Sequence, residues 1–351
     1  MNSSIAIALD AMGGDHAPAM VIAGALLALR KDPTLVFHIY GDETRLRPLM
    51  ERHPSLQSAI IHHTPDVVPG DMKPSVALRQ GRQSSMRMAI DSVKDGTTQG
   101  MVSAGNTGAL MAISKFVLGL LPGIDRPAIT SMLPTSNARC VMLDLGANLE
   151  CGPDNLVQFA IMGALIARIE LGIEAPRVGL LNIGSEEMKG HDEIRAAASI
   201  LRDTPIPGRF IGYVEADEVP FGRVDVVVTD GFTGNIALKT LEGTAKLAAS
   251  FLRQAMHDSM LAKLGAMLAS GAFSKLRTRL DPRAYNGAML AGLRGVCVKS
   301  HGGADARAFA NAILVAAQLI EGGLNNRIRE EFARLYGVPG NSNGVPDQVE
   351  S

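Results

Sequence analysis

The sequence contains no tryptophan, and aromatic residues make up only 4% of its 351 positions. Because 46% of the chain is apolar all the same, the core has to be aliphatic, built from Ala, Leu, Ile, Val and Met. Cysteine is nearly as scarce. Cys140, Cys151 and Cys297 are odd in number, far apart and without a CxxC pair, which argues against a disulfide framework or a zinc site and for a cytosolic setting. Neither sign of charge is in excess: 34 Lys and Arg stand against 35 Asp and Glu. Wholesale nucleic-acid binding is therefore not expected, and attraction to an acidic partner must come from a local patch. No run of eighteen apolar residues is free of charge, and Ile5–Leu9 is too short for a signal peptide. The P-loop pattern GxxxxGK[ST] is missing, and Gly13-Gly14 lacks GxGxxG spacing.

What the chain does have is a repeated local pattern: a short apolar run, a glycine-rich turn, then an amphipathic helix. The clearest instance is Asp225–Glu242, where Val226-Val227-Val228-Thr229 reads as a strand buried on both faces. It turns through Asp230–Gly234 and enters a helix near Asn235. Further strands are predicted over Ile5–Leu9, Val36–Tyr40, Met101–Ser103, Ile129–Leu133, Cys140–Leu145, Val178–Ile183, Phe210–Val214 and Val296–Lys299. Helices of ten to twenty residues alternate with them, including one over Ser75–Lys94. This alternation predicts a three-layer α/β/α fold with a mainly parallel sheet. Ligands in such sheets bind outside the carboxyl ends of the strands. Each glycine-rich turn follows a strand, so all are expected on one edge. The organisation expected is one unit over 1–336, with two lobes as an option, and a disordered tail over 337–351.

The exception to the alternation is the stretch from Asn235 to Arg283. Leu241, Ala245, Ala248, Leu252 and Ala255 recur at helical spacing, continued by Met260 and Leu264. Such a helix needs a partner helix, including one from a second copy of the chain. Between Arg253 and Arg283 six residues are Lys or Arg and two are Asp. With Leu261, Leu264, Met267 and Leu268 among those cations, this tip of a 235–285 helical pair suits an anionic membrane surface. The plainer alternative is a dimer core with solvated cations.

Several strand-end glycine turns together suit an oxyanion such as phosphate, because their N–H groups are free to face it. The polar residues at those turns are Asp10, Asp15, Ser103, Asn106, Thr107, Asn148, Glu186, Lys189, Asp230, Thr233, Asn235, Ser300 and His301. Each has a plainer reading. Asp10 and Asp230 can cap turns, the three asparagines can do likewise, and Lys189 before Gly190 can be a solvated loop lysine. His191 reads as a helix-start residue. His62-His63 has no accompanying carboxylate or cysteine spacing, so no metal site is expected. Cys151 near Asn148 could be a nucleophile, but a lone cysteine is more often a small buried apolar residue.

Six motifs in order carry a resemblance to a known family: LDAMGGDHAP (Leu9–Pro18), VSAGNTGALM (Val102–Met111), LDLGAN (Leu143–Asn148), LNIGSEEMKG (Leu181–Gly190), DGFTGNIALKTLEG (Asp230–Gly243) and KSHGGADARAF (Lys299–Phe309). Together with KPSVALRQGRQSSM (Lys73–Met86) they resemble PlsX-type phosphate acyltransferase from Ile5 to about Tyr336. Ser185, where an acidic residue is common, and His191 depart from the pattern. The resemblance implies transfer of a long-chain acyl group from acyl carrier protein to inorganic phosphate, without a cofactor. It also implies a homodimer related in fold to phosphotransacetylase and isopropylmalate dehydrogenase, peripheral to the inner face of the cell membrane. The acyl phosphate would feed a membrane glycerol-3-phosphate acyltransferase.

On that reading, phosphate or substrate is held at Asp10, Gly13, Gly14, Asp15, Ser103, Gly105, Asn106, Thr107, Asn148, Gly184, Glu186, Gly231, Thr233 and Gly234. Lys189 supplies charge, Asn235 or His301 donates to the thioester oxyanion, and Asp230 orients a donor. Arg79 and Arg82, with Arg87, or else the cations of Lys275–Arg283, would receive the acidic carrier. Rival readings are a short-chain transacylase using coenzyme A, a non-catalytic carrier-binding scaffold, and an NAD-dependent dehydrogenase.

Overall fold

The computed structural model of the chain describes residues 4–136, 138–273 and 281–337. Among them lie the strands β1 (Ile5–Asp10), β2 (Leu35–Gly41), β3 (Ile60–His63), β4 (Gly100–Ser103), β5 (Ala128–Pro134), β6 (Arg139–Leu143), β7 (Arg177–Leu181), β8 (Arg209–Val214), β9 (Val226–Val228), β10 (Ala288–Ala291) and β11 (Val296–Lys299). They form one sheet in the order β3-β2-β1-β4-β11-β10-β5-β6-β9-β7-β8. The helices are α1 (Ala19–Lys31), α2 (Glu43–Met50), α3 (Pro74–Gln80), α4 (Ser85–Lys94), α5 (Thr107–Leu118), α6 (Pro153–Glu170), α7 (Asp192–Asp203), α8 (Gly231–His257), α9 (Met260–Leu268), α10 (Ala306–Glu321) and α11 (Leu324–Tyr336).

Side chains alternate across each strand, so the sheet carries two cores. Ile7 and Leu9 of β1 face a layer that includes α1, α6 and α10, whereas Ala8 faces one that includes α4 and α5. The three-layer α/β/α architecture and the mostly parallel sheet are as expected from the sequence. The cores are aliphatic, with Phe37, Phe159, Phe309, Phe332, Tyr40 and Tyr213 as buried aromatic exceptions.

The strands do not all point the same way, and this overturns the expectation of a single ligand edge. β10 is antiparallel to both β11 and β5, and β5 is antiparallel to β6, while every other pairing is parallel. Strands β1, β4 and β11 therefore end on one edge. Strands β6, β7 and β9 end on the opposite edge. β10, a four-residue strand without a β-branched residue, is one the sequence reading missed, and β3 is another.

Local chemistry explains two further differences. The predicted helix over 75–94 is broken into α3 and α4, because the Ser84 side chain bonds back to Gly81 O and caps the next helix at Arg87 N. Helix α8 begins at Gly231 rather than near Asn235, because Asp230 is its N-cap and accepts from Thr233 N at 2.8 Å. The glycines read as a turn form its first turn. A Cβ on Gly234 would collide with Asp144 O, and one on Gly231 would lie 2.5 Å from Asn148 O. Beyond Leu241 the helix leaves the body, and its Leu247, Phe251 and Leu252 are exposed. No single described helix is long and apolar enough to cross a membrane. Residues 274–280 and 338–351, which hold Lys275 and most of the tail, lie outside the described residues.

Helix α6 lies unusually close to the sheet at Gly163. A Cβ there would sit 2.6 Å from Val226 Cγ1 and 2.9 Å from a Leu143 methyl. Gly163→Ala is expected to destabilise the chain by about 1–3 kcal/mol through overpacking. A urea midpoint unchanged from the parent protein would contradict so close a seating.

Candidate active site

The loops after β1, β4 and β11 interlock into the first of two polar clusters. The Asp10 carboxylate, 1% exposed, accepts hydrogen bonds from Ser85 Oγ and Ser103 Oγ, each at 2.6 Å, and from Met12 N at 3.3 Å. Burial pushes this carboxyl above its ordinary value, and the two serines oppose that shift. Gly14, at φ +103°, packs against Ala104 and Gly302 O, and Asp15 N donates to Gly302 O at 2.9 Å. Gly13 and Gly105 are equally close, since a Cβ on Gly13 would lie 2.7 Å from Gly105 N. His301 is exposed, and its Nδ1 accepts from Gly303 N at 3.1 Å.

Asn106 has a framework job. Its oxygen caps α5 at Ala109 N, and its amide donates to the carbonyls of Gly70 and Met72. Thr107 opens α5 and is exposed.

Lys299 was passed over in the sequence reading, although it begins one of the family motifs. Its ammonium reaches Ala104 O at 3.4 Å and Ser300 O, close to Asp10 and Asp15. Burial pulls its pKa down to about 8, while the two aspartates pull the other way. The signal available in sequence was a lysine as last residue of a buried strand, a place where lysine is rare without partners. Ser85 was missed too, since it lies on a helix rather than at a strand-end turn.

The second cluster is built on Asp144, also passed over. Its fully buried carboxylate accepts from Ile129 N, Gly146 N, Ala147 N and Asn148 N, and from Asn148 Nδ2. Burial raises this carboxyl, and those donors counter it. Asn148 Nδ2 also bonds Pro127 O at 2.8 Å, and its carbonyl accepts from Gly231 N at 2.7 Å. The start of α8 is thereby tied to the loop after β6. Several of its N–H groups are already engaged: Gly231 N with Asn148 O, Thr233 N with Asp230, and Gly234 N with Asp230 O.

Asn235 is exposed on α8, and a Cβ on Gly146 would lie 3.7 Å from its own Cβ. In the loop after β7, Gly184 is buried beneath the exposed Glu186 and Lys189, and Lys189 N bonds Glu186 O at 3.0 Å.

A cleft of about 390 Å³ runs between the clusters, lined by Thr107, Met111 and Lys115 of α5 and by Ile129, Gly146 and Ala147 opposite. Cys151 stands beside the second cluster with its thiol pushed up to about 11, mainly by burial and then by Asp144 and Asp230. It is protonated at neutral pH and unsuited to nucleophilic attack. His191 is the N-cap residue of α7. His62 stacks on Tyr40 at 4.4 Å and bonds His38 at 3.0 Å. No group of three or more His, Cys, Asp or Glu able to hold a metal occurs among the described residues.

Arg79 and Arg82 are exposed, and Arg79 Nε bonds Ser75 O. Arg87 is engaged by Asp91 at 2.9 Å. On α9, Met267 and Leu268 are exposed, whereas the side chains of Leu261 and Leu264 lie outside what the structure describes.

The lowered pKa of Lys299 fixes the sign of a pH effect. Between about 8 and the ordinary lysine value the folded chain binds fewer protons than the unfolded one, so stability rises with pH across that window. The native protein should therefore gain stability relative to Lys299→Met between about pH 8 and about pH 10. Urea unfolding of both proteins checks it, and a constant gap would mean that the amine is not desolvated.

Comparison with known proteins places the chain. The family model described as "Fatty acid synthesis protein" matches residues 5–327. The phosphate acyltransferase of Rhodospirillum centenum is 61% identical over 336 residues, covering 95% of each chain. That of Paramagnetospirillum magneticum is 54% identical over 336 residues, covering 95% of this chain and 96% of its own. Among solved structures, a phosphotransacetylase from Streptococcus pyogenes superposes with a TM-score of 0.60 at 18% identity, covering 91% of this chain and 94% of its own, which is a likeness of fold. With identity this high over nearly its whole length, the chain belongs to the PlsX family of phosphate acyltransferases and is an acyltransferase.

Proposed function

We propose that the chain moves a long-chain fatty acyl group from the thioester of acyl carrier protein to inorganic phosphate, releasing acyl phosphate for phospholipid synthesis. The observation that carries this reading is that exposed Lys189, in the loop after β7, and exposed Asn235, on α8 after β9, stand at the same sheet edge, with Asn235 beside Gly146 of the cleft. Phosphate is already an anion at neutral pH, and a leaving thiol has a pKa of about 8.5, so neither reactant needs strong acid–base help. What remains is to hold the two together and to stabilise an oxyanion. Lys189 supplies charge to the phosphate, and the Asn235 amide donates to the thioester oxygen. Asp230 acts by fixing the first turn of α8, which Asn235 directly follows. The protonated Cys151 favours direct attack by phosphate over an acyl-enzyme.

His301 belongs to the first cluster, with Asp10, Gly13, Gly14, Asp15, Ser103, Gly105 and Thr107. That cluster serves the other end of the bound substrates. The exposed Leu247, Phe251 and Leu252 of α8 favour pairing with a second copy of the chain through the 235–285 segment. Met267 and Leu268, near Lys263 on α9, suit an anionic membrane surface at the inner face of the cell membrane. There the product can pass to a membrane glycerol-3-phosphate acyltransferase. Exposed Arg79 and Arg82 offer the carrier protein a basic approach.

Purified protein given palmitoyl-acyl carrier protein and phosphate is expected to release free carrier thiol and hydroxylamine-trappable acyl phosphate in equal amounts. Thiol release without acyl phosphate would reduce the activity to hydrolysis. Lys189→Ala should lower kcat/KM by about 10²-fold, the scale of one lost electrostatic donor, with an unchanged melting temperature. Near-normal turnover in that variant would remove Lys189 from the site.

A further inference from the structure

Lys189 stands on a loop without regular structure, residues 183–191 between β7 and α7, and most of its side chains face water. A lysine carries its charge on a flexible four-carbon stem, so an ammonium on a loose loop sweeps a wide volume. No ion pair engages Lys189 among the described residues. Its stem passes over Gly184, where a Cβ would lie 3.1 Å from Lys189 Cγ. The aim of the ammonium is therefore set by the backbone beneath it.

One buried side chain holds that backbone. Asn182, 8% exposed just after β7, donates from Nδ2 to Lys189 O at 3.1 Å, and its Oδ1 accepts from Ile183 N at 2.9 Å. The start of the loop and the lysine near its end are thus closed on one amide. The main chain of Asn182 is itself bonded to β8, since its N donates to Val214 O at 3.0 Å. Gly190, at φ +86°, lies against the same amide, and a Cβ there would collide with Asn182 Oδ1. Glycine is needed at 190 both for the left-handed backbone and for the seat of the amide. From outside, Arg195 of α7 donates to Met188 O at 3.1 Å, but its guanidinium is exposed and shared with Asp192. The buried tie is the one made by Asn182.

We propose that Asn182 is a positioning residue for the reaction, holding the Lys189 carbonyl and thereby aiming the Lys189 ammonium at phosphate. This rests on the reading of Lys189 as the charge that meets phosphate, and deepens it. The plainer role for Asn182 is to satisfy the loop for stability alone. That role would burden both substrates alike, whatever residue stands at 189.

Kinetics of the full chain with palmitoyl-acyl carrier protein and phosphate separate the two. Asn182→Ala should lower kcat/KM for phosphate by about tenfold, the scale of one hydrogen bond, and leave the KM of the acyl donor unchanged. In a Lys189→Ala background the same substitution should cost nothing further, because its effect passes through the ammonium. Gly190→Ala, which pushes the amide aside from the other direction, should repeat both results. Trypsin should also cut the folded Asn182→Ala protein after Lys189 faster than the parent. The same loss in the Lys189→Ala background would overturn the proposal, since Asn182 would then act without the lysine. So would equal losses for both substrates, or cleavage after Lys189 at the parent's rate. Near-normal turnover of Lys189→Ala is a different failure. It removes the lysine from the reaction, and accelerated cleavage in Asn182→Ala would then leave the clasp as loop structure only.

Discussion

The layout of this protein depends on the antiparallel pairings at the middle of the sheet. β10 pairs antiparallel with β11 on one side and with β5 on the other, and β5 pairs antiparallel with β6. A doubly wound sheet with all strands parallel would gather every strand-end loop on one edge. Here the direction reverses, so the loops after β1, β4 and β11 face away from those after β6, β7 and β9. The polar residues described above thereby form two clusters, and α5 runs across the sheet between them. It starts at the first cluster with Asn106 as its cap, and its side faces Gly146 and Ala147 of the second.

Each cluster is organised around a buried carboxylate. Asp10 holds two serine hydroxyls, and Asp144 gathers backbone N–H groups from Ile129 and from its own loop. A buried carboxylate is costly unless its acceptor capacity is filled. Filling it is what gives these glycine-rich loops a fixed shape. Through Asn148, the Asp144 loop then receives Gly231 N, so the start of the long α8 helix is set by the same carboxylate. Glycine at 231 and 234 is required by that approach of backbone to backbone, not by a turn.

Much of this was legible in the sequence. Runs such as Val226-Val227-Val228 and Ile5–Leu9 announce buried strands, and their alternation with helices announces the three layers. β10 was not legible, because Ala288-Met289-Leu290-Ala291 is too short and lacks β-branched residues. Missing it meant missing the reversal of direction, and with that the division of the polar loops. Most of the residues flagged from the sequence fall in strand-end loops, while Thr107, Thr233 and Asn235 lie in the first residues of α5 and α8. Their division of labour was hidden, because an asparagine that caps a helix and one that faces solvent look alike in a string of letters. Asn106 and Asn148 spend their amides on the framework, and Asn235 stands exposed. Asp144 and Lys299 escaped attention for a related reason. Each sits at the very end of a strand, just before the conspicuous glycines, and its importance comes from burial that only the packed fold reveals.

The proposed mechanism asks little of acid–base chemistry and much of position. The rigid parts are α5, packed on the sheet through Ala109, Leu110 and Ile113, and the first turn of α8, locked to the Asp144 loop. The relative position of these two elements is fixed by the sheet core and by the Asp144 loop. Positioning of this kind supplies catalysis through lost freedom and through donors aimed in advance. In the proposed reaction the acceptor phosphate is itself the attacking group, in keeping with a Cys151 thiol pushed up to about 11.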